Sequence, residues 1–385
     1  MRTDTADAPS DTAGVTPDGV RRGISAGLPV FPWDTLADAM AMARSHTDGI
    51  VDLSVGTPVD PVAPLIRDAL AAASPAPGYP ATAGTPALRA SAVTALNRRY
   101  GVTDLAEDAV LPAIGTKELI AWLPTLLGLG PEDVVAVPEL AYPTYEVGAR
   151  LAGAQVLLAD SLTQLGPLSP ALIYLNSPSN PTGAVLGADH LRKVVGWARE
   201  RGVAVASDEC YLGLGWEAEP VSLLHPSVCD GDHTGLLSIH SLSKTSSLAG
   251  YRAGFVAGDR ALIAELLAVR KHAGMMMPTP VQAAMVAALD DDAHEREQRE
   301  RYQRRRDALL PAVRSAGLDV DHSEAGLYIW ATRGEPCRDT VRWLAQRGIL
   351  VAPGEFYGPR GSQHVRIALT ATDERIAAAV ERLTA

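Results

Sequence analysis

The chain has 385 residues, enough for two domains, with an apolar share of 47% and a charged share of 21%. A core of that size needs neither disulfides nor a structural metal for its stability. Its 34 basic and 45 acidic residues give a net charge of −11, which argues against a general binder of nucleic acid or of anionic membranes.

The cysteine pattern and the N-terminal segment indicate the compartment. Three widely spaced cysteines, Cys210, Cys229 and Cys337, are typical of a reducing environment and not of a secreted disulfide framework. No apolar run reaches the length of about 18 residues that a membrane span requires. Residues 1–23 lack the apolar stretch of a signal peptide and predict a disordered tail. We therefore expect a cytoplasmic protein.

From about Val51 onward, short apolar strands alternate with helical segments. The predicted strands are rich in β-branched residues and apolar on both faces, and they are 134–138, 172–175, 203–207, 236–240 and 254–257. Segments between them, such as 190–201, predict helices. This alternation favours an α/β fold with a largely parallel sheet that helices cover on both sides.

The C-terminal part begins with a charged segment, 291–306 (DDAHEREQRERYQRRR), that predicts a long helix with opposite charges four residues apart. We interpret it as a solvated helix that leads into a second domain, rather than as a basic binding patch. Strands at 326–331, 348–352 and 364–369 predict a smaller α+β domain. The expected organisation is a tail (1–23), an arm that joins the small domain (24–50), a large domain (51–288) and a small domain (289–385).

Polar clusters follow the predicted strands, at the edge where an open parallel sheet binds its ligands. The clusters are GTKE (115–118), NSPSNPTG (176–183), DECY (208–211) and SLSK (241–244), with Arg252 eight residues after Lys244. Taken singly, each has a structural explanation. The proline and glycine of 176–183 make a turn, Asp208 caps a helix, and Lys244 is an exposed loop lysine.

The spacing of these clusters is more specific than any one of them. Asn180 precedes Asp208 by 28 residues, and Lys244 follows Asp208 by 36. Tyr211 and Ser241 stand three residues from the aspartate and the lysine. This layout resembles the fold-type I, pyridoxal-phosphate-dependent enzymes of aminotransferase class I/II, which have a large parallel-sheet domain and a smaller α+β domain.

The resemblance covers the chain from about residue 27 and narrows to the actinobacterial succinyldiaminopimelate aminotransferases. The segments that carry it are LPVFPWDTL (28–36), DLSVGTPVDP (52–61), PGYPATAGTP (77–86), PELAYPTYEVGARLAGA (138–154), HSLSKTSSLAGYRAGFVAGD (240–259) and APGEFYGP (352–359).

The resemblance implies pyridoxal 5′-phosphate as the cofactor and gives residues their roles around it. Lys244 forms the Schiff base and then moves the substrate's α-proton, which requires a neutral amine and a depressed pKa. Asp208 pairs with the pyridine nitrogen. Tyr211 and Asn180 hydrogen-bond the 3′-oxygen. Tyr142 stacks on the ring, or else is a plain core aromatic.

The cofactor phosphate requires a positive cup rich in hydrogen-bond donors, which a helix N-terminus provides. The residues that the resemblance implies for this cup are Gly115, Thr116, Lys117, Ser241, Ser243 and Arg252, with Tyr79 from a neighbouring subunit. A site shared in this way implies a homodimer.

For the substrate, Arg366 matches the family's partner of the α-carboxylate, Gly56 matches the backbone donor opposite, and Asn180 lies beside them. The alternative for Arg366 is a surface salt bridge. Aspartate-specific relatives hold the second carboxylate with an arginine that is missing from 272–278 (HAGMMMP), so aspartate is disfavoured as the donor.

Other residues are candidates for contacts with the rest of the substrate. Arg270, Lys271 and Lys117 are candidates for a distal carboxylate. Phe31 and Trp33 line the mouth of the site, or else serve the core or a hinge. His225, Cys229 and His233 surround Pro226 and Gly231, so we expect a loop there and no metal site.

The resemblance predicts an enzyme that moves an amino group from L-glutamate to N-succinyl-2-amino-6-oxopimelate in lysine and diaminopimelate biosynthesis. The motifs contact the cofactor rather than the substrate, so an aminotransferase for another pair of amino and keto acids stays open, as does a β-lyase. A non-catalytic DNA-binding regulator is disfavoured, because few residues precede the fold and the chain is acidic.

Overall fold

A computed structural model describes residues 23–385, so the predicted tail lies outside the described residues except for Gly23. The helices of this part are α1 (Ala37–Arg44), α2 (Pro64–Ala72), α3 (Pro86–Tyr100), α4 (Thr116–Leu126), α5 (Thr144–Leu151), α6 (Leu162–Leu165), α7 (Ala188–Arg199), α8 (Pro226–Cys229), α9 (Leu242–Thr245), α10 (Arg260–Ala273), α11 (Thr279–Asp290), α12 (Ala293–Ser315), α13 (Cys337–Ala345) and α14 (Asp373–Thr384). None of them is long and apolar enough to cross a membrane.

The strands of the described part are β1 (Val51–Asp52), β2 (Val110–Ile114), β3 (Val134–Val137), β4 (Gln155–Leu158), β5 (Leu172–Asn176), β6 (Ala204–Asp208), β7 (Leu236–Ser241), β8 (Ala253–Gly258), β9 (Asp319–Asp321), β10 (Tyr328–Thr332), β11 (Ile349–Leu350), β12 (Ala352–Pro353) and β13 (His364–Ala368). The five strands predicted between residues 134 and 257 are confirmed to within one or two residues. Their apolar residues occupy both faces of one sheet, as the sequence pattern indicated.

The large sheet has seven strands in the order β2-β8-β7-β6-β5-β3-β4. Its strands run parallel except for β8, which is antiparallel to both of its neighbours. One apolar core packs α3, α7 and α11 on one face, and another packs α4, α5 and α10 on the opposite face. The predicted α/β fold with a largely parallel sheet is therefore confirmed.

A second, antiparallel sheet has the order β12-β13-β10-β9 and packs with α12, α13 and α14 in a separate core. The arm contributes Leu36 to this core, and β1 pairs in parallel with β11 at Val51 and Ile349. The N-terminal part of the chain therefore lies against the C-terminal part. The limits of the domains themselves stay a prediction.

The interpretation of 291–306 as a solvated helix is wrong in part. Helix α12 buries several polar side chains along one face, including Arg305. The Arg305 guanidinium lies 2.6 Å from Asp60 Oδ1 through Nη2 and 2.6 Å from Asp373 Oδ1 through Nε. A buried guanidinium is stable only when carboxylates pair with it. Arg305 therefore connects the segment before α2 to α14, while other charged residues of the helix, such as Glu297 and Arg304, are exposed.

Candidate active site

Asp208 ends β6 at the carboxyl edge of the large sheet and is 5% exposed. Tyr145 Oη donates a hydrogen bond to Asp208 Oδ2 at 2.8 Å, and the Cys210 amide donates to Oδ1 at 3.2 Å. Burial raises the pKa of Asp208 above its usual value, although these hydrogen bonds oppose the shift. Within the described residues, all donors of hydrogen bonds to this carboxylate are neutral. A cationic ligand would therefore balance its negative charge.

Asn176, at the end of β5, connects this aspartate to the neighbouring loop. Its side-chain amide donates to the carbonyl of Asp208 at 2.9 Å and accepts from the backbone N–H of Asn180 at 2.7 Å. Because parallel strands end at one edge, β5 and β6 bring Asn180 and Asp208 into the same site, as their order in the sequence predicted.

Lys244 lies in α9, directly after β7, and its ammonium group donates to the carbonyl of Gly56. The Ser241 side chain accepts from the backbone N–H of Ser243 at 3.1 Å and begins this short helix. Burial lowers the pKa of Lys244, and the charges of Arg366 and Arg252 act in the same direction. The alternative of an exposed loop lysine is wrong, because Lys244 lines the cavity beside Asp208.

The N-terminus of α4 forms a donor-rich end of the same cavity. Gly115 precedes the helix with a φ of +76°, and a Cβ at this position would lie 2.2 Å from Arg252 Nη2. Only glycine allows this backbone conformation and this approach without strain. Thr116, Ser241, Ser243 and Arg252 line the cavity with Lys117. Free backbone N–H groups, hydroxyls and a guanidinium together favour a bound phosphate.

Arg366, on β13, is 2% exposed, so the alternative of a surface salt bridge is wrong. Its Nη1 donates to Asn180 Oδ1 at 2.8 Å and its Nη2 to the carbonyl of Ser54 at 2.8 Å. Its Cζ lies 3.9 Å from the ring centroid of Tyr328 and 4.9 Å from that of Tyr357. Neutral acceptors and aromatic rings hold the guanidinium in place but leave its charge available for a carboxylate.

Two residues of the site were missed by the sequence analysis. Tyr145 reaches Asp208, and Tyr328 Oη lies 3.1 Å from Tyr211 Oη. Tyr145 follows Tyr142 by three residues in AYPTY, which places both on one side of the start of α5. This spacing could have indicated Tyr145 as a residue of the site. Tyr328 carries no such local signal, since it reaches Tyr211 from a strand of the other sheet, 117 residues away.

The mouth of the site is aromatic. Tyr142 lines the cavity and packs edge-on against Tyr145, with ring centroids 5.9 Å apart, so it is not a core residue only. Phe31 and Trp33 of the arm line the same cavity of about 500 Å³, and Trp33 also packs against the core of the smaller sheet. Together with Lys117 and Tyr142, they also line a second, adjoining cavity of about 720 Å³.

The structure does not bring every predicted residue to this site. Arg270 is fully buried and pairs with Glu118 at 3.1 Å, so its interpretation as a partner of a distal carboxylate is wrong. Lys271 lines neither cavity. Tyr79 is 96% exposed and lies outside the cavities of its own chain.

The predicted loop around Cys229 contains the short helix α8. His225 begins that helix, and its Nδ1 accepts from the backbone N–H of Ser227 at 3.1 Å. Within residues 23–385, no group of three or more His, Cys, Asp or Glu side chains is arranged to hold a metal ion.

Comparison with known proteins agrees with this geometry. The family model for aminotransferase class I and II matches residues 48–383. The chain is 80% identical over 364 residues to "Probable aminotransferase Rv1178" of Mycobacterium tuberculosis, covering 94% of this chain and 87% of that protein. It is 60% identical to "4-dedimethylamino-4-oxo-anhydrotetracycline transaminase OxyQ" of Streptomyces rimosus, covering 93% and 99%.

Among solved structures, the chain resembles the probable N-succinyldiaminopimelate aminotransferase of Thermus thermophilus. The TM-score is 0.82 at 30% sequence identity, and the match covers 92% of this chain and 99% of that one. The similarity therefore extends over both sheets and over the cavity between them.

Proposed function

We propose a specific transamination for this chain. The chain belongs to the class I and II aminotransferases, whose members depend on pyridoxal phosphate and act on small amino and keto acids. The proposed amino donor is L-glutamate, and the proposed acceptor is N-succinyl-2-amino-6-oxopimelate. The observation that carries the chemistry is the position of Lys244, a lysine of lowered pKa in the cavity that Asp208 and Arg366 also line.

The residues present fit pyridoxal phosphate. A pyridine nitrogen fits Asp208, a buried carboxylate whose hydrogen-bond donors within the described residues are all neutral. A phosphate fits the N-terminus of α4, where a side chain on Gly115 would collide with Arg252. When bound, the cofactor supplies the electron sink that makes the α-proton of the substrate acidic. Asp208 would pair with the pyridine nitrogen and favour its protonated form, and Tyr211 would donate to the ring oxygen at the 3′ position.

The other residues bind the substrate and move its proton. Arg366 holds the α-carboxylate through its planar guanidinium, and the backbone of Gly56 holds it from the opposite side. Lys244, whose pKa burial lowers, would take the proton from the α-carbon of the amino donor and deliver one to the α-carbon of the acceptor. Phe31 and Trp33 exclude water from the mouth of the cavity.

The second cavity supports a long acceptor. Its volume of about 720 Å³ lies within the range of sites that hold drug-sized molecules, far more than glutamate requires. Lys117 stands between the two cavities with its ammonium 5.4 Å from the ring centroid of Phe31 and 6.0 Å from that of Tyr142. Burial, and then Arg252, lower the pKa of Lys117, and a carboxylate at the far end of the acceptor would offset that cost.

A second candidate acceptor is a flat polycyclic ketone. The relative that is 60% identical is named for such a substrate, and the second cavity has aromatic walls that include Phe31, Tyr142 and Phe356. Planar rings stack well on walls of this kind. The motifs around the cofactor are compatible with both acceptors, because they contact only the cofactor and the α-carboxylate.

Absorbance of the protein loaded with pyridoxal phosphate tests the proposal. We expect glutamate and N-succinyl-LL-diaminopimelate, added separately, each to bleach the yellow band, and Lys244→Ala to show no lysine-bound band. If glutamate bleaches the band and the succinylated diamine does not, the acceptor is wrong. Turnover of the polycyclic ketone by the glutamate-treated protein would then establish the second candidate. If wild-type protein forms no band, the assignment of Lys244 is wrong as well.

We also propose a homodimer in which Tyr79 completes the phosphate cup of the other subunit. The exposure of its side chain and the family of the chain support this assembly. A tyrosine that is 96% exposed in one chain is free to serve a neighbouring one.

A further inference from the structure

We infer that Tyr328 is a positioning residue whose hydroxyl donates to Tyr211 and so directs the Tyr211 hydroxyl at the ring oxygen of the cofactor. This inference rests on the proposed function, because it takes Tyr211 as the partner of that oxygen. The carrying observation is the buried contact of 3.1 Å between the two phenol oxygens. The two residues are 6% and 4% exposed, so this bond lies in a largely buried environment.

The two tyrosines are held in a fixed relation. Their rings meet edge-on, with centroids 5.7 Å apart and planes at 74°. Tyr328 comes from β10, in the register pair with Ala368 of β13, two residues from Arg366. The strand pairing therefore sets the distance between Tyr328 and the guanidinium of Arg366, while Tyr211 follows β6 of the large sheet.

Hydrogen-bond counting gives the direction of the bond once the cofactor is present. Each phenol has one hydrogen to donate. A negatively charged ring oxygen is the strongest acceptor near Tyr211, so it takes the Tyr211 hydrogen and leaves the Tyr211 oxygen to accept. Tyr328 is then the donor. A hydrogen bond from Tyr328 to the Tyr211 oxygen strengthens the bond that Tyr211 donates to the ring oxygen, because each bond polarises the next.

The surroundings of Tyr328 make it a good donor. The guanidinium of Arg366 lies over its ring, with Cζ 3.9 Å from the centroid. Although burial acts in the opposite direction, the charges of Arg366 and Lys244 hold the pKa of the Tyr328 phenol below its usual value. The Tyr328 hydroxyl, on a ring that this guanidinium covers, is placed to donate to Tyr211.

The glycine at position 56 makes room for this arrangement. A Cβ on Gly56 would lie 2.2 Å from Tyr328 Oη, and the carbonyl of the same residue accepts from Lys244. The Tyr328 hydroxyl therefore lies between the backbone of Gly56, which contacts Lys244, and Tyr211, the proposed partner of the cofactor ring.

The pH dependence of the visible band of the loaded protein tests the inference without measuring turnover. Tyr211 lowers the pKa of the nitrogen that joins Lys244 to the cofactor, because it stabilises the negative ring oxygen beside that nitrogen. Tyr328→Phe weakens this donor. We expect the transition to move to higher pH by about half a unit, a roughly threefold change in the proton-binding constant.

A double-mutant cycle separates positioning from mere packing. In protein that already carries Tyr211→Phe, we expect Tyr328→Phe to move the transition no further, since its effect passes through the Tyr211 hydroxyl. The matched control is Tyr357→Phe, which loses a phenol hydroxyl that has no hydrogen-bond partner within the described residues and also lies beside Arg366. We expect this control to leave the transition in place.

Three results would overturn the inference. They are an unchanged transition in Tyr328→Phe, an equal shift with and without the Tyr211 hydroxyl, and an equal shift in Tyr357→Phe. Tyr328→Met also lacks the hydroxyl and gives the same measurement if the phenylalanine variant does not fold. A wild-type protein without a visible band would refute the proposed function as well, whereas a normal band with any of these three results leaves that function intact.

Discussion

At the scale of single residues, the environment of a side chain decides its chemistry more than its identity does. Asp208 and Glu209 are neighbours in sequence and both are buried, but only Asp208 lines the cavity. Glu209 instead accepts from the backbone of Leu223 at 2.7 Å and from Ser238 Oγ at 2.8 Å, within the protein. The alternation of side chains along a strand end turns one carboxylate to the ligand and the next to the core.

The first prediction concerns Asp208. Asp208→Ala removes the only charge proposed to keep the pyridine nitrogen protonated, so we expect weaker cofactor binding and α-proton removal slower by about 10²-fold or more. Stopped-flow absorbance after mixing with glutamate measures this step. Tyr145→Phe is the matched control, because it removes one hydrogen bond of 2.8 Å and keeps the carboxylate. A rate in Asp208→Ala that equals the rate of this control would contradict the role of Asp208.

Most residues of the site could be predicted from the sequence, because they stand at the ends of strands in recognisable spacing. Lys244, Asp208 and Asn180 meet in the structure as predicted. Tyr328 could not be found in this way. It is an ordinary apolar-face residue of a short strand by its local pattern, and only the pairing of β10 with β13 brings it to Arg366.

At the scale of elements, the carboxyl ends of β6 and β7 are connected by a buried polar cluster. Ser238 Oγ donates to Glu209 Oε2 at 2.8 Å and lies 2.6 Å from His240 Nε2. Because the serine hydrogen is used on the glutamate, Nε2 of His240 donates in the contact with Ser238. The ring of His240 stacks on Phe255, with centroids 5.0 Å apart. This cluster holds the strand ends that carry Asp208 and Ser241.

The second prediction is the pH dependence of stability that His240 causes. Burial lowers the pKa of His240 to about 3 in the folded protein, below the ordinary value of 6.5. The unfolded chain therefore binds the proton more readily. The contribution of His240 is complete above pH 6.5 and is lost as the pH falls, by about 2 kcal/mol at pH 5.

Urea unfolding at pH 7.5 and pH 5 measures this loss, and the comparison is with His240→Phe. We expect the free energy of unfolding to fall less between these pH values in the variant than in the wild type. His272→Phe, at an exposed position near the end of α10, is the control and keeps the wild-type dependence. Equal losses in wild type and His240→Phe would show that the histidine does not titrate in this way.

Helices and strands with an apolar pattern could be predicted because their burial is visible in sequence. Helix α12 shows where this fails. Its segment is rich in charges, which is typical of an exposed helix. Arg305 is buried nevertheless, because its carboxylate partners Asp60 and Asp373 come from distant parts of the chain. A pattern of charges does not reveal partners that are far away in sequence.

At the scale of the whole molecule, the proposed dimer predicts complementation between two defective proteins. Tyr79→Ala has an intact Lys244 but lacks the phosphate contact, and Lys244→Ala is the reverse. If each site takes Tyr79 from the other subunit, a hybrid dimer holds one intact site and one doubly defective site. An equal mixture should then recover about a quarter of the wild-type number of tight cofactor sites.

Absorbance titration with pyridoxal phosphate after mixing and refolding counts these sites. The control is a mixture of Lys244→Ala with Asp208→Ala, whose residues serve the same site of one chain. In that mixture every hybrid holds two defective sites, so we expect no recovery. A recovery in the Tyr79 mixture that is no higher than in this control would contradict the shared site.

The pairing of β1 with β11 has a consequence for how this protein is made. Val51 leaves the ribosome early, but its partner Ile349 is synthesised near the end of the chain. Arg366 follows later still. A nascent chain holds all seven strands of the large sheet, with Lys244 and Asp208, long before β10 to β13 and Arg366 are synthesised. A premature stop codon after β8 would therefore leave a polypeptide with Lys244 and Asp208 but without Arg366, the residue proposed to bind the α-carboxylate of the substrate.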